Sequence, residues 1–569
     1  MSNKAIIKVS NLTYTYSGLD HPTIHDVNFE IGEGEFVLMT GASGCGKSTI
    51  LQTLNGIIPK NKGGKLEGTI EVAGMNVADH EIQEMAQKVG MVFQDPESQL
   101  CNLFIKDEVA FGPENLMMPV EEINERVTES LNYVGLAGQG EKYVNEISGG
   151  QVQRLVISSV ISMNPEVLIF DDPTANLDPV GTAEIVAVLE KMKSENKTIL
   201  ISTPWMDEFV RFATRVIVIK DGTVYADGTP KEVFLAHGDE MKNSMGVWIP
   251  SIAEIDIGMK KLGLSTGDIA LSVEEAFEKY KNLPHPSSRP MERRALSDEK
   301  IVDVENVIFS YPDGTKALTD VTFHTKKGTL TAILGPNGSG KSTIAQVMVG
   351  LLRGYEGRIR ICGMDPSAAQ VKEITKEVGF VFQNPEHQIV AETVYDEIAY
   401  SLRVARVPED EIKPRVQALM ELFGLAELKD RHPYGLSGGQ KRRLSVATML
   451  INEPTLLLLD EPTYGQDAKN TEVLMNEVQR MLSKGVSVIM ITHNMRIVQE
   501  YADEVTVLGY GKIRYSGLPE LLWESGDFSK DSTLKQPALQ QLMERLRKEA
   551  GMDIDISVRT ISQFLSIWE

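Results

Sequence analysis

Cysteine is scarce in this sequence: three residues, Cys45, Cys101 and Cys362, in 569, at spacings that fit neither a disulfide framework nor a zinc site. That usage suits a reducing compartment, and the cytoplasm is the expected location. Basic side chains are in deficit, 57 against 80 acidic ones for a formal net charge of −23. This is the wrong sign for a protein whose main partner is a polyphosphate backbone, so no nucleic-acid partner is expected. Long hydrophobic runs are missing too. The start, Met1 to Lys8, lacks the uninterrupted apolar stretch of a signal peptide, and no later run approaches the roughly 20 residues of a membrane helix. Any membrane process served by this chain would need another chain to span the bilayer. What remains is ordinary for globular proteins, 42% apolar and 24% charged, which excludes disorder and fibrous repeats. At roughly 100 to 200 residues per domain, the length implies several domains.

The chain is written twice. Gly41-Ala42-Ser43-Gly44-Cys45-Gly46-Lys47-Ser48-Thr49 matches Gly335-Pro336-Asn337-Gly338-Ser339-Gly340-Lys341-Ser342-Thr343, with the two lysines 294 residues apart. Gln94 and Gln383, Ser148 and Ser437, Asp171 and Asp460, and Pro204 and His493 all keep an offset of 289. A period of this length excludes a solenoid and implies two homologous domains in tandem. The expected boundaries are a first domain over 1–235, an appendage and linker over 236–299, a second domain over 300–525 and a second appendage over 526–569. Pro284, Pro286 and Pro290 mark the linker. Helical spacing over Ile252 to Phe277 resembles that of the tail, where Pro537, Leu539, Leu542 and Leu546 precede Ile561 and Phe564. Within each copy, short β-rich runs (Glu35 to Met39, Val167 to Phe170, Thr198 to Ser202) alternate with helical patterns such as Glu121 to Val134. The expected fold class is α/β, with a mainly parallel sheet flanked by helices.

Each glycine-rich segment satisfies G-x-x-x-x-G-K-[ST] between a strand and a helix-like run. Its backbone amides and the helix N-terminus form an anion cradle. Lys47 and Lys341 are expected to neutralise β and γ phosphates, and Ser48 and Ser342 to ligate Mg²⁺. A second element is an apolar strand ending in acids, Val167 to Asp172 and Leu456 to Glu461. The first acid of each pair, Asp171 or Asp460, suits metal holding, and the second, Asp172 or Glu461, suits water polarisation. The lesser alternative is that such acids merely cap the next element.

Ile147-Ser148-Gly149-Gly150-Gln151 and Leu436-Ser437-Gly438-Gly439-Gln440 resemble the signature of ATP-binding cassette ATPases, each serine lying 23 residues before the strand acid. A bare S-G-G-Q is only a turn followed by a helix; in this order the resemblance covers nearly all of both halves. It implies duplicated P-loop domains, each with an antiparallel β subdomain and a helical signature subdomain. ATP and Mg²⁺ are the implied cofactors. Tyr16 and Tyr311 match the aromatic residue that stacks on adenine, although an alternating strand would also place tyrosines there. Gln94 and Gln383 match the glutamine that touches Mg²⁺, Asp178 and Asp467 the aspartate of the loop crossing to the opposite cassette, and His493 the switch histidine.

In that family two cassettes pack head to tail, so the resemblance implies hybrid sites within the chain. One combines Lys341, Asp460, Glu461 and His493 with Ser148 to Gln151. The other combines Lys47, Asp171, Asp172 and Pro204 with Ser437 to Gln440. Every departure from the pattern falls on the second hybrid. Asp172 is one methylene shorter than Glu461, Pro204 offers no side-chain donor, and Tyr464-Gly465-Gln466-Asp467 replaces the Ala175-Asn176-Leu177-Asp178 pattern. Turnover is expected mostly at the site of Glu461 and His493, with neutral drift in a working site as the alternative.

Val92-Phe93-Gln94-Asp95-Pro96-Glu97-Ser98-Gln99 and Val381-Phe382-Gln383-Asn384-Pro385-Glu386-His387-Gln388 are similar to the F-Q-[DN]-P-x-x-Q segment of energy-coupling factor importers. Asp107 to Gly112 and Asp396 to Tyr400 extend that match. The resemblance implies uptake of a vitamin or transition-metal ion, with a transmembrane coupling protein and a small membrane-embedded substrate-binding protein as partners. It also implies a peripheral location on the cytoplasmic face of the cell membrane. Among that family, fused forms resemble those of thiamine-precursor uptake. The alternatives are a soluble tandem cassette acting on ribosomes or DNA, and an exporter ATPase.

Overall fold

A computed structural model describes residues 4–175, 177–287, 290–291, 293–463, 465–524 and 534–569. The chain divides into two compact units, Met1–Tyr280 and Lys281–Glu569.

In the first unit the apolar strand Phe36–Gly41 lies inside a six-stranded sheet. The order is Thr223–Gly228, Arg215–Lys220, Phe36–Gly41, Thr198–Ser202, Val167–Asp171, Val89–Val92. All neighbours run parallel except Arg215–Lys220 and Thr223–Gly228, which pair antiparallel. Alternate side chains of Phe36–Gly41 serve two cores. Phe36 and Leu38 pack with residues of the helices Ile105–Asn115, Gly149–Ile161 and Pro179–Ser194. Val37 and Met39 pack with the helix Lys47–Leu54 and a second, antiparallel sheet. Covered on both faces, the strand has no use for polar alternation. The antiparallel sheet comprises Ile24–Gly32, Ala5–Thr15, Lys65–Val72 and Met75–Asn76.

The second unit repeats the plan. Its six strands run Val378–Val381, Leu456–Asp460, Ser487–Ile491, Leu330–Leu334, Glu504–Gly509, Lys512–Gly517, parallel up to the last pair. A three-stranded antiparallel sheet of Lys316–Lys326, Lys300–Ser310 and Glu356–Ile361 covers one face. In both units, the strand before the glycine-rich loop, the strand before Thr203 or Thr492, and the strand ending in acids are successive neighbours. Their loops therefore emerge side by side at the C-terminal edge, where ligands of such sheets bind.

After the last strand each unit adds helices. In the first these are Pro230–Asn243, Ser251–Lys261 and Val273–Tyr280, and in the second Ala538–Lys548 and Ile561–Ser566. The chain after Tyr280 joins the second unit, where Ser287 N–H donates to Ile567 O (2.7 Å), Met291 N–H to Ser557 Oγ (2.8 Å) and Arg294 Nη2 to Asp503 Oδ2 (2.7 Å). The helices Ser251–Lys261 and Ala538–Lys548 follow Pro250 and Pro537 at matching positions, yet their buried faces differ. Asp256 is fully buried and accepts from Ser265 Oγ (2.5 Å), Tyr280 OH (2.6 Å), Lys279 Nζ (2.7 Å) and Ala270 N–H (2.8 Å). The matching residue of the second helix is the fully buried Met543. One appendage is organised by a satisfied charge, the other by apolar packing.

Burial raises the Asp256 carboxyl, but the hydrogen bonds from Lys279, Ser265, Tyr280 and Ala270 outweigh it and hold the group below its ordinary value. A folded-state value below the unfolded one gives stability that is complete above the ordinary carboxylate range and lost as pH falls through it. Asp256→Ala strands the Lys279 charge and is expected to destabilise the first unit by about 3 kcal/mol at neutral pH. Urea unfolding of the full chain checks this, and the difference from wild type should persist to about pH 4 and shrink only as pH falls below the ordinary aspartate value toward the lowered folded one.

Candidate phosphate-binding sites

The glycine-rich loops are shaped first by packing. Gly41 and Gly335 sit at φ 151° and 145°, and a Cβ at either would run into the carbonyl oxygen of a neighbouring strand, Ile219 or Leu508. Gly44 and Gly338 also have positive φ, but a Cβ there would meet nothing within 4 Å. Lys47 Nζ donates to the carbonyls of Gly41 (2.8 Å) and Ala42 (2.9 Å), and Lys341 Nζ to those of Gly335 and Pro336 (both 2.8 Å), so each ammonium is held over its own loop. Cys45 Sγ lies 3.6 Å from Lys47 Nζ, and burial pushes this thiol up.

Asp171 and Asp460 end their strands buried, each within the influence of the loop serine hydroxyl, Ser48 or Ser342. Burial raises both carboxyls; those hydroxyls and the neighbouring lysine pull the other way. The next residue turns into the left-handed region, Asp172 at φ 51° and Glu461 at φ 50°. Hydrogen bonds to the adjacent strand fix the turn, Asp172 N–H to Ser202 O (2.7 Å) and Glu461 N–H to Ile491 O (2.9 Å). A non-glycine residue held there is uncommon, and it directs the second acid away from the strand line. Burial, then the neighbouring aspartate, pushes Asp172 up to about 7 and Glu461 up to about 8.

With matched backbones and similar electrostatics, the acids differ in reach and partner. Glu461 Oε1 lies 3.5 Å from His493 Nε2. Asp172 Oδ1 accepts from Thr203 Oγ1 at 3.3 Å, and Pro204 follows where the histidine would be. Trp205 next to it stacks on Trp248 with ring centroids 4.4 Å apart. Trp205 also takes the place of Asn494, whose side chain caps the helix Met495–Tyr501 by accepting from Ile497 N–H. An indole has no acceptor for that role, and residues 207–212 form turns instead of a helix.

The structure brings the loop, the acids and the tyrosines together within each unit. Tyr16 OH lies 3.1 Å from Thr49 Oγ1 and Tyr311 OH 3.0 Å from Thr343 Oγ1, tying each ring to the helix after the loop. Gln94 and Gln383 are exposed just beyond the strands Val89–Val92 and Val378–Val381. The signature residues start the helices Gly149–Ile161 and Gly438–Leu450. There Ser148 and Gln151, like Ser437 and Gln440, exchange capping hydrogen bonds (3.0 and 3.4 Å; 2.9 and 3.4 Å). Gly149 and Gly438 face open space. Asp178 and Asp467 cap the helices Pro179–Ser194 and Ala468–Ser483 through Gly181 N–H and Asn470 N–H (both 2.8 Å). Asn176 and Tyr464, two of the residues read as distinguishing the crossing loops, lie outside the described residues.

Several working residues carried no assigned role in the sequence. Gln99 accepts from Phe93 N–H (2.7 Å) and donates to Met91 O (3.2 Å); Gln388 does the same with Phe382 and Phe380 (3.3 and 3.4 Å). The second glutamine of F-Q-[DN]-P-x-x-Q thus braces the loop that presents the first. Glu108 accepts from the amides of Cys101 and Asn102 (3.0 and 2.8 Å), and Glu397 from those of Val390 and Ala391 (2.9 and 2.7 Å). Arg442 donates to the carbonyls of Phe382 and Gln383, whereas the first unit has Gln153 at that position. Repetition of Gln99 as Gln388 and of Glu108 as Glu397 at matched spacing was the available signal; Arg442 has no such counterpart.

No helix among the described residues is long and apolar enough to cross a membrane. A family model described as ABC transporter matches residues 24–175 and 318–464. An ABC transporter ATP-binding protein of Methanosarcina acetivorans is 34% identical over 98% of this chain and 93% of its own length. YkoD of Bacillus subtilis, named for HMP/thiamine import as an ATP-binding protein, is 37% identical over 96% of this chain and 98% of its own. The solved structure of cbiO1 from Clostridium perfringens, titled as part of the ABC transporter complex cbiONQ, aligns at 34% identity over 43% of this chain and all of that one, with a TM-score of 0.38. Because the family model is matched in each half and the relatives run the length of the sequence, the chain belongs to the ABC transporter family, as an ATP-binding, ATP-hydrolysing transport protein with two cassettes.

Proposed function

We propose that this chain is the energising subunit of an energy-coupling factor importer for a vitamin or transition-metal ion. It would act at the cytoplasmic face of the membrane with a transmembrane coupling protein and a small membrane-embedded substrate-binding protein. The F-Q-[DN]-P-x-x-Q segments support this reading, since each is braced as a rigid platform presenting an exposed glutamine. The full-length similarity to a relative named for HMP/thiamine import favours a thiamine precursor as cargo.

The observation carrying the mechanistic reading is the contrast between Glu461 beside His493 and Asp172 beside Pro204. Glu461 is proposed to take the proton of the attacking water at its carboxylate while His493 orients that water and the γ phosphate. Asp172 stops one methylene short and has no imidazole beside it, so its site binds nucleotide and turns over little.

Each half offers one hydroxyl, one buried carboxylate and one nearby amide oxygen: Ser48, Asp171 and Gln94, or Ser342, Asp460 and Gln383. Among the described residues there is no cluster of three acids, histidines or cysteines to hold a metal alone. A sparse oxygen set completed by substrate phosphates suits Mg²⁺, which would neutralise β and γ phosphate charge there.

Glu461→Gln is expected to lower ATPase activity of the full chain by about 100-fold. Asp172→Asn should stay within about twofold of wild type, and equal losses in the two variants would overturn the asymmetry. Affinity purification of the tagged chain from membranes in mild detergent should recover a multi-spanning protein and a small membrane protein carrying the cargo. Recovery of ribosomes would overturn the transport assignment.

A further inference from the structure

The switch histidine of the second unit is placed by a short helix. His493 and the capping Asn494 immediately precede Met495–Tyr501, seven residues or about 10 Å long. A helix this short has little stability of its own and depends on what holds its ends. Its N-terminal end is held locally: Asn494 accepts from Ile497 N–H (3.2 Å), and Asn494 N–H donates to Thr492 Oγ1 (3.1 Å). Its C-terminal end is held from far away in sequence. Arg559, between the two appendage helices, donates Nε to Gln499 O (2.7 Å) and Nη2 to Ala502 O, with Val498 O at 3.5 Å.

Val498 O already accepts from Ala502 N–H (3.0 Å), whereas Gln499 O, in the last turn, has lost the amide that would follow it, since Asp503 N–H donates to Leu330 O (2.8 Å); at this end the helix dipole favours a cation. The arginine is itself fixed, because its backbone N–H donates to Gln563 Oε1 (2.8 Å) and Thr560 caps the following helix Ile561–Ser566. The contact therefore joins two ordered elements. Beyond it, Asp503 accepts from Leu330 N–H (2.8 Å), at the start of the strand Leu330–Leu334 that leads into the phosphate loop.

The first unit supplies the contrast. Where Pro204 replaces the histidine, no helix follows, and the appendage meets the segment through the Trp205–Trp248 stack and a hydrogen bond from Ser251 N–H to Asp207 Oδ1 (2.8 Å). The guanidinium clamp accompanies the histidine.

We infer that Arg559 is a positioning residue for hydrolysis: by gripping the far end of the helix Met495–Tyr501, the C-terminal appendage sets the place of His493 against Glu461. This rests on the assignment of Glu461 and His493 to the hydrolytic site. The appendage acquires a role in catalysis without touching nucleotide. Anything that displaces it would slow turnover while leaving ATP binding in place.

The test is steady-state ATPase and nucleotide binding by the full chain carrying Arg559→Met, Arg559→Lys, His493→Ala, Glu461→Gln, and Arg559→Met with His493→Ala. Arg559→Met should lower kcat by about tenfold or more with KM and nucleotide affinity within about twofold, since a displaced catalytic group loses rate before binding. Arg559→Lys, which still donates to the carbonyls, should recover most of that loss. The double variant should be no slower than His493→Ala alone, because Arg559 acts through the histidine. Multiplying losses in the double variant, or an unchanged kcat in Arg559→Met, would overturn the inference. If Arg559→Met fails to fold, the lysine variant decides: a folded Arg559→Lys chain as slow as His493→Ala overturns it, and a near-normal one supports it. Wild-type activity in Glu461→Gln would instead overturn the site assignment on which the inference rests, an outcome distinct from the others.

Discussion

Two adjacent carboxylates delivered at the end of a buried strand impose the constraint to which the rest of each unit answers. Burial and then Asp460 raise the proton affinity of Glu461, and burial and then Asp171 raise that of Asp172. The loop lysine and serine come within reach because the strand leading into the loop is parallel to the acid strand, one strand removed. Gly41 and Gly335 press the loop against a further strand, which keeps the lysine on the sheet edge. An alternating polar strand could not occupy this position without exposing the acids, so the uniform burial of Val167–Asp171 and Leu456–Asp460 is part of the chemistry.

Duplication makes each unit a control for the other. The two acid turns share their backbone and their hydrogen bond to the next strand to within a few tenths of an ångström. Differences near them are consequently differences of side chain. Histidine has become proline, the capping asparagine tryptophan, and the loop-gripping Arg442 a glutamine at position 153. Proline removes the imidazole, tryptophan removes the capping acceptor while keeping an N–H, and glutamine replaces the guanidinium charge with a neutral amide. Away from the acids the exchange runs the other way, with Asp256 and its donors in the first appendage against Met543 in the second. Buried charge clusters and apolar packing are close in net stability when each is complete, so the fold tolerates this exchange.

Much of the site could be read from the residues because its signals are local. The phosphate loop is a contiguous pattern between strand and helix, and the acid pair closes a run of apolar residues. The short β-rich run over Thr198 to Ser202 matches the strand found. S-G-G-Q was legible even in its modest role, since Ser148 and Gln151 form the capping exchange expected of a turn entering a helix. The long helical pattern over Ile252 to Phe277 is two helices, Ser251–Lys261 and Val273–Tyr280, with the intervening residues turned around the Asp256 carboxylate. Periodicity does not see a buried charge that reorganises the chain around itself. The left-handed turn at the second acid was equally invisible: it is fixed by a hydrogen bond to another strand, at residues with no intrinsic preference for positive φ.

The appendages show how far a tertiary constraint can travel from the sequence that reveals it. Trp205 and Trp248, or Arg559 and Gln499, become partners only after the last strand has returned the chain to the segment following the acids. Two aromatic rings stacked at 4.4 Å make a contact that depends on close packing and gives little when displaced. A guanidinium presents its donors in a rigid fork, so one side chain holds two carbonyls of the segment at once. The aromatic contact stands beside the proline and the polar one beside the histidine. The half in which Glu461 lies next to His493 is thus the half whose following helix is held by directional hydrogen bonds from its appendage.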